Sequence, residues 1–312
     1  MKSKYQQLKF DNIKTYPISE RFNKVEVGTF ANPLSGKNSI TELIQSLPDI
    51  LMGKELREFI ELYKTAIRKK KVIVWMIGAH TIKCGLNPII IDLLKKGLIN
   101  HLAMNGAGAI HDVEIAMWGV TSEDVASGLK DGSFGMNRDT AEFLNLALSD
   151  NLNNDLGYAE IIAQKLLERK AVHQELSILA TAYQKDIPIS LHPALGTEII
   201  HQHPNFNGAA FGAKSLIDFQ IFANSLSRIS TGSIIMNVGS AVILPEVFLK
   251  ALTIVRNLGF PANGFYSAVF DMNKHYRPTV NVMQRPTQDA GKGYYFIGHH
   301  EIMIPLLAAA IQ

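Results

Sequence analysis

The sequence predicts an α/β fold: an open, mostly parallel sheet with helices on both faces. Three observations predict it. From Lys71 to the end of the chain, short apolar runs alternate with amphipathic helical patterns, the arrangement of parallel strands joined by helical crossovers. The stretch 71–114 (KVIVWMIGAHTIKCGLNPIIIDLLKKGLINHLAMNGAGAIHDVE) contains one complete strand–helix–strand unit. Finally, apolar runs repeatedly stop at Gly or Ala followed by a polar side chain, at 78–81, 106–112, 192–198, 239–246 and 298–301. In parallel sheets ligands bind outside the carboxyl ends of the strands. One such turn is ordinary; five at one sheet edge predict a pocket there.

Taken in order, residues 1–40 are polar and irregular, with Pro17 and Pro33, and are expected to lie over the main domain or a neighbouring subunit. Residues 41–312 form a single α/β domain. Thr41–Met52 and Lys54–Lys70 read as helices, the second with Leu56, Phe59, Ile60 and Leu62 on one side. Val72–Ile77 is the first strand, Leu86–Lys96 a helix, and Ile99–Met104 the second strand. Thr121–Asp124 reads as a helix start with acidic residues in its first turn, and 129–136 as a glycine-punctuated lid. Helices at 138–149, 157–169 and 174–184 lead to a third strand, Ile187–Leu191. Ser215–Ser227 is a helix and Ser233–Val238 a fourth strand. Pro245 sits at a first-turn position of a helix running to Leu258. Phe265–Phe270 is a fifth strand. Arg285 and Lys292 fall in a proline-bearing loop, Tyr294–Ile297 is the sixth strand, and a last helix begins near Ile302.

Composition bounds the function. The 312 residues, 47% hydrophobic and 19% charged, suit a globular chain with a sizeable core. The net charge of +3 is spread along the chain and predicts no nucleic-acid partner. A single cysteine, Cys84, excludes an internal disulfide and fits a reducing compartment. The first residues lack the apolar core of a signal peptide, and the longest apolar run, Ile302–Ile311, is too short for a bilayer. The expectation is a soluble, cytoplasmic protein without a membrane partner.

Several residues stand out chemically. Gly106, Ala107 and Gly108 allow a ligand to approach the backbone. Asp112 is placed to accept hydrogen bonds from ribose hydroxyls, which favours NAD over NADP; capping of a helix explains an Asp there equally well. Gly239 and Ser240 precede a helix and suit another part of a dinucleotide. Glu198 and His201 have a spacing that faces one metal from one helix, but exposed polar residues beside a pocket are the simpler reading, and no metal is expected. His suits proton transfer near neutral pH.

The chain resembles deoxyhypusine synthase and its bacterial relatives, which include homospermidine-forming enzymes. The resemblance runs from about Lys71 to the end and rests on Lys83-Cys84-Gly85, Gly106-Ala107-Gly108, Ile187-Pro188-Ile189 with Pro193-Ala194-Leu195, Gly239-Ser240-Ala241 and Pro305-Leu306-Leu307. It implies a Rossmann-like domain, bound NAD, a homotetramer and aminobutyl transfer from a polyamine or other small amine. It implies NAD contacts at Gly78, Ala79, His80, Thr81 and on to Lys83, at Gly106, Ala107, Gly108 and Asp112, at Gly239 and Ser240, and at His299 and His300. His111 stands where the family has a Glu facing the polyamine. The Trp-Gly-Lys motif of the family is absent; Gly291-Lys292 is the nearest dipeptide, which makes Lys292 the candidate imine former beside His111 and Asp271. Glu246, His275 and Glu301 complete the expected substrate pocket, in which Arg277, Lys274 and His299 dilute the acidic character. Deoxyhypusine itself is therefore not the expected product. Two other classes fit: a non-catalytic NAD-binding oligomer, and a metal-dependent hydrolase using His and carboxylates.

Overall fold

The computed structural model describes residues 3–312. Six strands form one sheet: β1 Ile73–Ile77, β2 His101–Asn105, β3 Ile189–His192, β4 Ile234–Val238, β5 Tyr266–Asp271 and β6 Lys292–Ile297. They lie in the order β3-β2-β1-β4-β5-β6, and every pairing is parallel. This is the Rossmann-like doubly wound arrangement, and the order reverses between β1 and β4.

The helices are α1 Ile40–Ser46, α2 Leu51–Arg68, α3 Ala79–Lys83, α4 Asn87–Lys95, α5 Gly106–Trp118, α6 Val125–Asp131, α7 Arg138–Asp150, α8 Tyr158–Glu168, α9 Ile178–Gln184, α10 Gly208–Ser227, α11 Ile243–Asn257, the short α12 Tyr276–Pro278 and α13 His300–Ile311. Residues 3–39 contain only two single-turn helices and pack little against the rest: Tyr5, Leu8, Phe10, Ile13, Tyr16 and Phe22 are all exposed.

Strand periodicity splits the core in two. Ile73, Trp75 and Ile77 face one side, with α2, α4, α5 and α13, while Val74 and Met76 face α10 and α11. Because both faces are covered, strand β1 is buried throughout and reads as a continuous apolar run rather than an alternating one. The one polar atom Trp75 brings inside is satisfied: its indole N–H donates to Tyr63 Oη at 2.9 Å, and Tyr63 donates to the Leu98 carbonyl at 2.8 Å.

Three departures from the sequence reading position the site. The proposed lid begins inside α6 rather than as a loop, with Asp124 capping the helix through the N–H of Ser127. His300 and Glu301 belong to the first turn of α13. Lys292 is not in a loop but is the first residue of β6, paired with Tyr266 at the start of β5.

Candidate functional site

At the switch between β1 and β4, two glycine turns meet backbone to backbone. The N–H of Gly78 donates to the Val238 carbonyl at 2.8 Å, and a Cβ on Gly78 would lie 2.0 Å from the Gly239 carbonyl oxygen. Gly239 has φ +68, in the region that favours glycine, and its N–H donates to the Phe270 carbonyl at 3.0 Å. His300 packs on Gly239, close enough that a Cβ there would stand 3.0 Å from the imidazole Cε1. His300 Nε2 is 3.2 Å from the Phe270 carbonyl, which fixes that nitrogen as the donor; Nδ1 is buried without a partner. Burial lowers the pKa of this ring. Asn237 Oδ1 is a second buried orphan here, its amide N–H being given to the Ser240 carbonyl.

Around this switch the fold gathers many of the expected residues. Ala79, His80 and Thr81 form α3, with the His80 ring 5.6 Å from that of His300 and the Thr81 hydroxyl given to the Gly78 carbonyl. Ser240 Oγ accepts from the N–H of Leu244 and so helps start α11. Asp271 ends β5, with His275 Nε2 at 3.5 Å. His299 precedes α13, its Nδ1 3.8 Å from Glu301. Cys84, not counted as a site residue from sequence, lies here too: its sulfur is 3.6 Å from Glu301, and burial with that nearby carboxylate raises the thiol pKa. A lone cysteine leaves no sequence signal for such a placement.

The carboxyl ends of β2 and β3 border a second cleft of about 200 Å³, lined by Lys83, Ala107, His111, Glu114, Glu123 and Glu198 with Phe134 and Ile199. Larger hollows lie beside it and elsewhere: one of about 730 Å³ shares Glu114, Ser122 and Glu123 with this cleft, and two others open at the amino ends of β1, β2 and β3. Asn105 caps α5 through the N–H of Gly108. The hydroxyl of Thr121 donates to Glu114 at 2.5 Å, so its oxygen accepts from His111 Nδ1–H at 2.6 Å. This arrangement fixes the His111 tautomer and leaves Nε2 as the acceptor of the neutral ring. Glu198 and His201, read from sequence as exposed, are buried side by side with Oε2 and Nε2 3.4 Å apart. Among the described residues no group of three or more His, Cys, Asp or Glu side chains is arranged to hold a metal ion.

Three expected residues sit elsewhere. Asp112 is fully buried. Its oxygens accept from Ser177 Oγ at 2.6 Å, from the N–H groups of Ile178 and Leu179 at 2.8 and 3.2 Å, and from Asn87 at 3.3 Å. It thus caps α9, a helix remote in sequence, and has no oxygen at the cleft surface for a ribose. Lys292 stands at the amino end of β6, across the sheet from Asp271, where it pairs with Glu58 at 2.6 Å and lies over the Tyr294 ring. The distance from the strand's carboxyl end corrects its reading as an imine former beside His111 and Asp271. Glu246 of α11 is held by Lys250, by Arg277 of α12 at 3.1 Å and by the amide of Asn281, just beyond α12, at 2.9 Å.

The sheet order and the paired glycine turns place the chain in the class of doubly wound α/β proteins with a ligand edge at a switch point. No protein-family model matches the sequence, and no curated protein sequence matches it either. Solved structures do. A protein classed as a deoxyhypusine synthase from Entamoeba histolytica is similar over 88% of this chain and 93% of its own, with TM-score 0.52 and 10% identity. A conserved LOR/SDH protein from Methanococcus maripaludis S2 is similar over 89% and 71%, with TM-score 0.50 and 13% identity. The ternary complex of AgrE with ornithine and NAD+ is similar over 83% of this chain at 13% identity and TM-score 0.50, and the chain spans 32% of AgrE. The likeness is one of fold: a deoxyhypusine synthase-like α/β sheet, found also in a protein solved with ornithine and NAD+. No helix among the described residues is long and apolar enough to cross a membrane.

Proposed function

We propose that this chain is an NAD-binding enzyme of the deoxyhypusine synthase-like fold that acts on a small amine, without a lysine-bound intermediate at Lys292. The observation that carries this reading is the β1/β4 switch, where Gly78 and Gly239 bring the two turns backbone to backbone and where Asn237 Oδ1 and His300 Nδ1 are buried without a partner. Buried polar atoms are rarely left unpaired, so these two mark where a polar ligand belongs.

The residues fit a dinucleotide. Gly78, Ala79, His80 and Thr81 with Gly239 and Ser240 would line its central part, His299 and His300 would flank it, and Gly106, Ala107 and Gly108 would face a further portion. NAD, when bound, supplies a hydride acceptor. This chain's own contribution is proton handling and orientation. His111, with Nδ1–H given to Thr121, offers Nε2 as a base; Asp271 with His275 supplies a carboxylate for an ammonium group; Glu301 adds negative charge beside Cys84. Glu246, committed to its own ion pairs, is the weakest member of the proposed substrate pocket.

The non-catalytic alternative, a folded NAD-binding oligomer, is favoured by one observation, the position of Lys292 on the far edge of the sheet. Calorimetry with NAD and NADP on the purified chain tests the shared part: one NAD bound per chain is expected. Turnover of NAD with a panel of diamines and polyamines then separates enzyme from non-catalytic oligomer. A homotetramer in a cytoplasmic setting belongs to the same proposal. Its support is the row of exposed apolar side chains from Tyr5 to Phe22, which a single chain leaves uncovered. Light scattering at micromolar concentration is expected to give four chains, and a monomer mass would sink that part.

A further inference from the structure

The cleft at the carboxyl ends of β2 and β3 supports a step that rests on the NAD reading and goes beyond it. Helix α5 is 13 residues long and opens on Gly106, Ala107 and Gly108, so its N-terminus presents a positive field at the sheet edge. Gly106 has no positive φ that would require glycine. What fills the space beside Gly106 is Glu198: a Cβ there would lie 2.2–2.3 Å from both carboxylate oxygens and from Cδ. The carboxylate is thus laid across the first residue of the helix.

Glu198 is poorly anchored for a buried charge. It is 8% exposed, its Oε1 accepts from the N–H of Ala194 at 3.3 Å with the Thr197 hydroxyl beside the carboxyl, and its Oε2 is buried with no partner. His201 does not complete it. The N–H of Gly196 donates to His201 Nδ1 at 3.1 Å, so the neutral ring carries its proton on Nε2, and that nitrogen remains 3.4 Å from Oε2 and unpaired. Lys83 from α3, His111 and Glu114 from α5, and Glu123 ahead of α6 line the same cleft, with Tyr158 of α8 behind. Glu114 is spent on Thr121 and Thr140, and Glu123 on the N–H of Gly135. Glu198 is the cleft carboxylate left with an unpaired oxygen.

We propose that the Glu198 carboxyl group fills the seat at the N-terminus of α5 that a phosphate group of a bound nucleotide takes, and leaves that seat when such a ligand enters. A phosphate lying on Gly106 needs the volume the carboxylate fills. Eviction is inexpensive for two reasons. Burial raises the Glu198 carboxyl to about 7, so its return to water regains hydration that the seat does not replace. The loop that carries it, Leu195-Gly196-Thr197, is exposed, and Gly196 has φ +84. Glu198 then decides what the seat accepts: an anion strong enough to displace a carboxylate, which a phosphate is and an uncharged nucleoside is not.

The test is calorimetry on the full chain with pyrophosphate, ADP, NAD and adenosine, for wild type, Glu198→Gln and Glu198→Ala, with melting curves to confirm that each variant folds. The proposal expects both variants to bind the phosphate-bearing probes at least about tenfold more tightly than wild type, a difference calorimetry resolves readily, with adenosine unchanged. Equal or weaker pyrophosphate binding by the two folded variants overturns it, as does the absence of pyrophosphate binding throughout. If pyrophosphate tightens while NAD binds neither wild type nor variants, the seat filled by Glu198 stands and the NAD reading falls.

Discussion

Asp112 and Glu198 are both acidic, both buried and both set against a helix N-terminus, yet they differ in one respect that separates structure from function. Asp112 receives four donors and closes the contact between α5 and α9. Glu198 receives one, at 3.3 Å, and keeps an orphan oxygen beside a cleft. Burial raises both, Asp112 to about 6 and Glu198 to about 7. A carboxylate with all its partners holds the fold, and one without them waits for something else. Asp218 lies between these cases. It accepts from the N–H groups of Ala159 and Leu191, yet one oxygen, set against Gly157, has no partner, and burial raises it to about 8.

The sharpest way to break this contrast is at the closed switch. Gly78→Ala drives a Cβ into the Gly239 backbone, where no flexible side chain can yield. A loss of about 3 kcal/mol in urea unfolding is expected, at the upper end for overpacking; a loss below about 1 kcal/mol would show that the two turns can part. Next, Asp112→Ala strips the Ser177 hydroxyl and two backbone N–H groups of their buried acceptor, and is expected to cost about 2–3 kcal/mol. Stability within about 0.5 kcal/mol of wild type would mean that water replaces the carboxylate and that Asp112 is not structural.

Glu198→Gln is expected to behave in the opposite way, holding or raising stability, with a pH dependence that can be signed. The folded carboxyl titrates near 7 and the unfolded one near 4.5, so folding takes up a proton between those values. Wild type therefore loses stability as pH rises through that window, and the glutamine variant does not. Relative to wild type the variant is expected to gain about 3 kcal/mol between pH 4.5 and 7.5. A flat difference across the window would refute the poor anchoring of Glu198.

The smallest effect is expected at Lys292. Its pair with Glu58 is about two-fifths exposed on each side, so Lys292→Ala is expected to cost less than about 0.5 kcal/mol and to leave NAD affinity unchanged. A loss of NAD-dependent turnover in this variant with binding intact would restore the lysine to the chemistry.

The sheet was legible because its causes are local. A six-residue run such as Val72–Ile77 with no polar break, bounded by Gly78, fits a strand covered on both faces, and Gly78 and Gly239 end β1 and β4 where a Cβ is crowded out. The site was legible only where the chain itself brings residues together. His80 and Thr81 follow directly on β1 and His299 on β6, so naming the turn named them. The partners of Asp112 and Glu198 could not be read in that way. Asp112 meets Ser177, and Glu198 meets Gly106, across gaps that only the packing of α5 against α9 and of the loop after β3 against β2 closes. Lys292 shows the same limit within a single strand. Pairing with Tyr266 extends β6 backward past Tyr294, and a lysine that sequence put in a loop near the ligand becomes the strand's first residue on the opposite edge. Sequence alone determined the fold class and most of its strands and helices to within several residues, because backbone preference and apolar periodicity act over a few residues. The direction in which each buried carboxylate points, and whether it is satisfied, was decided by the tertiary structure, because the donors that meet it come from elements far away in the chain.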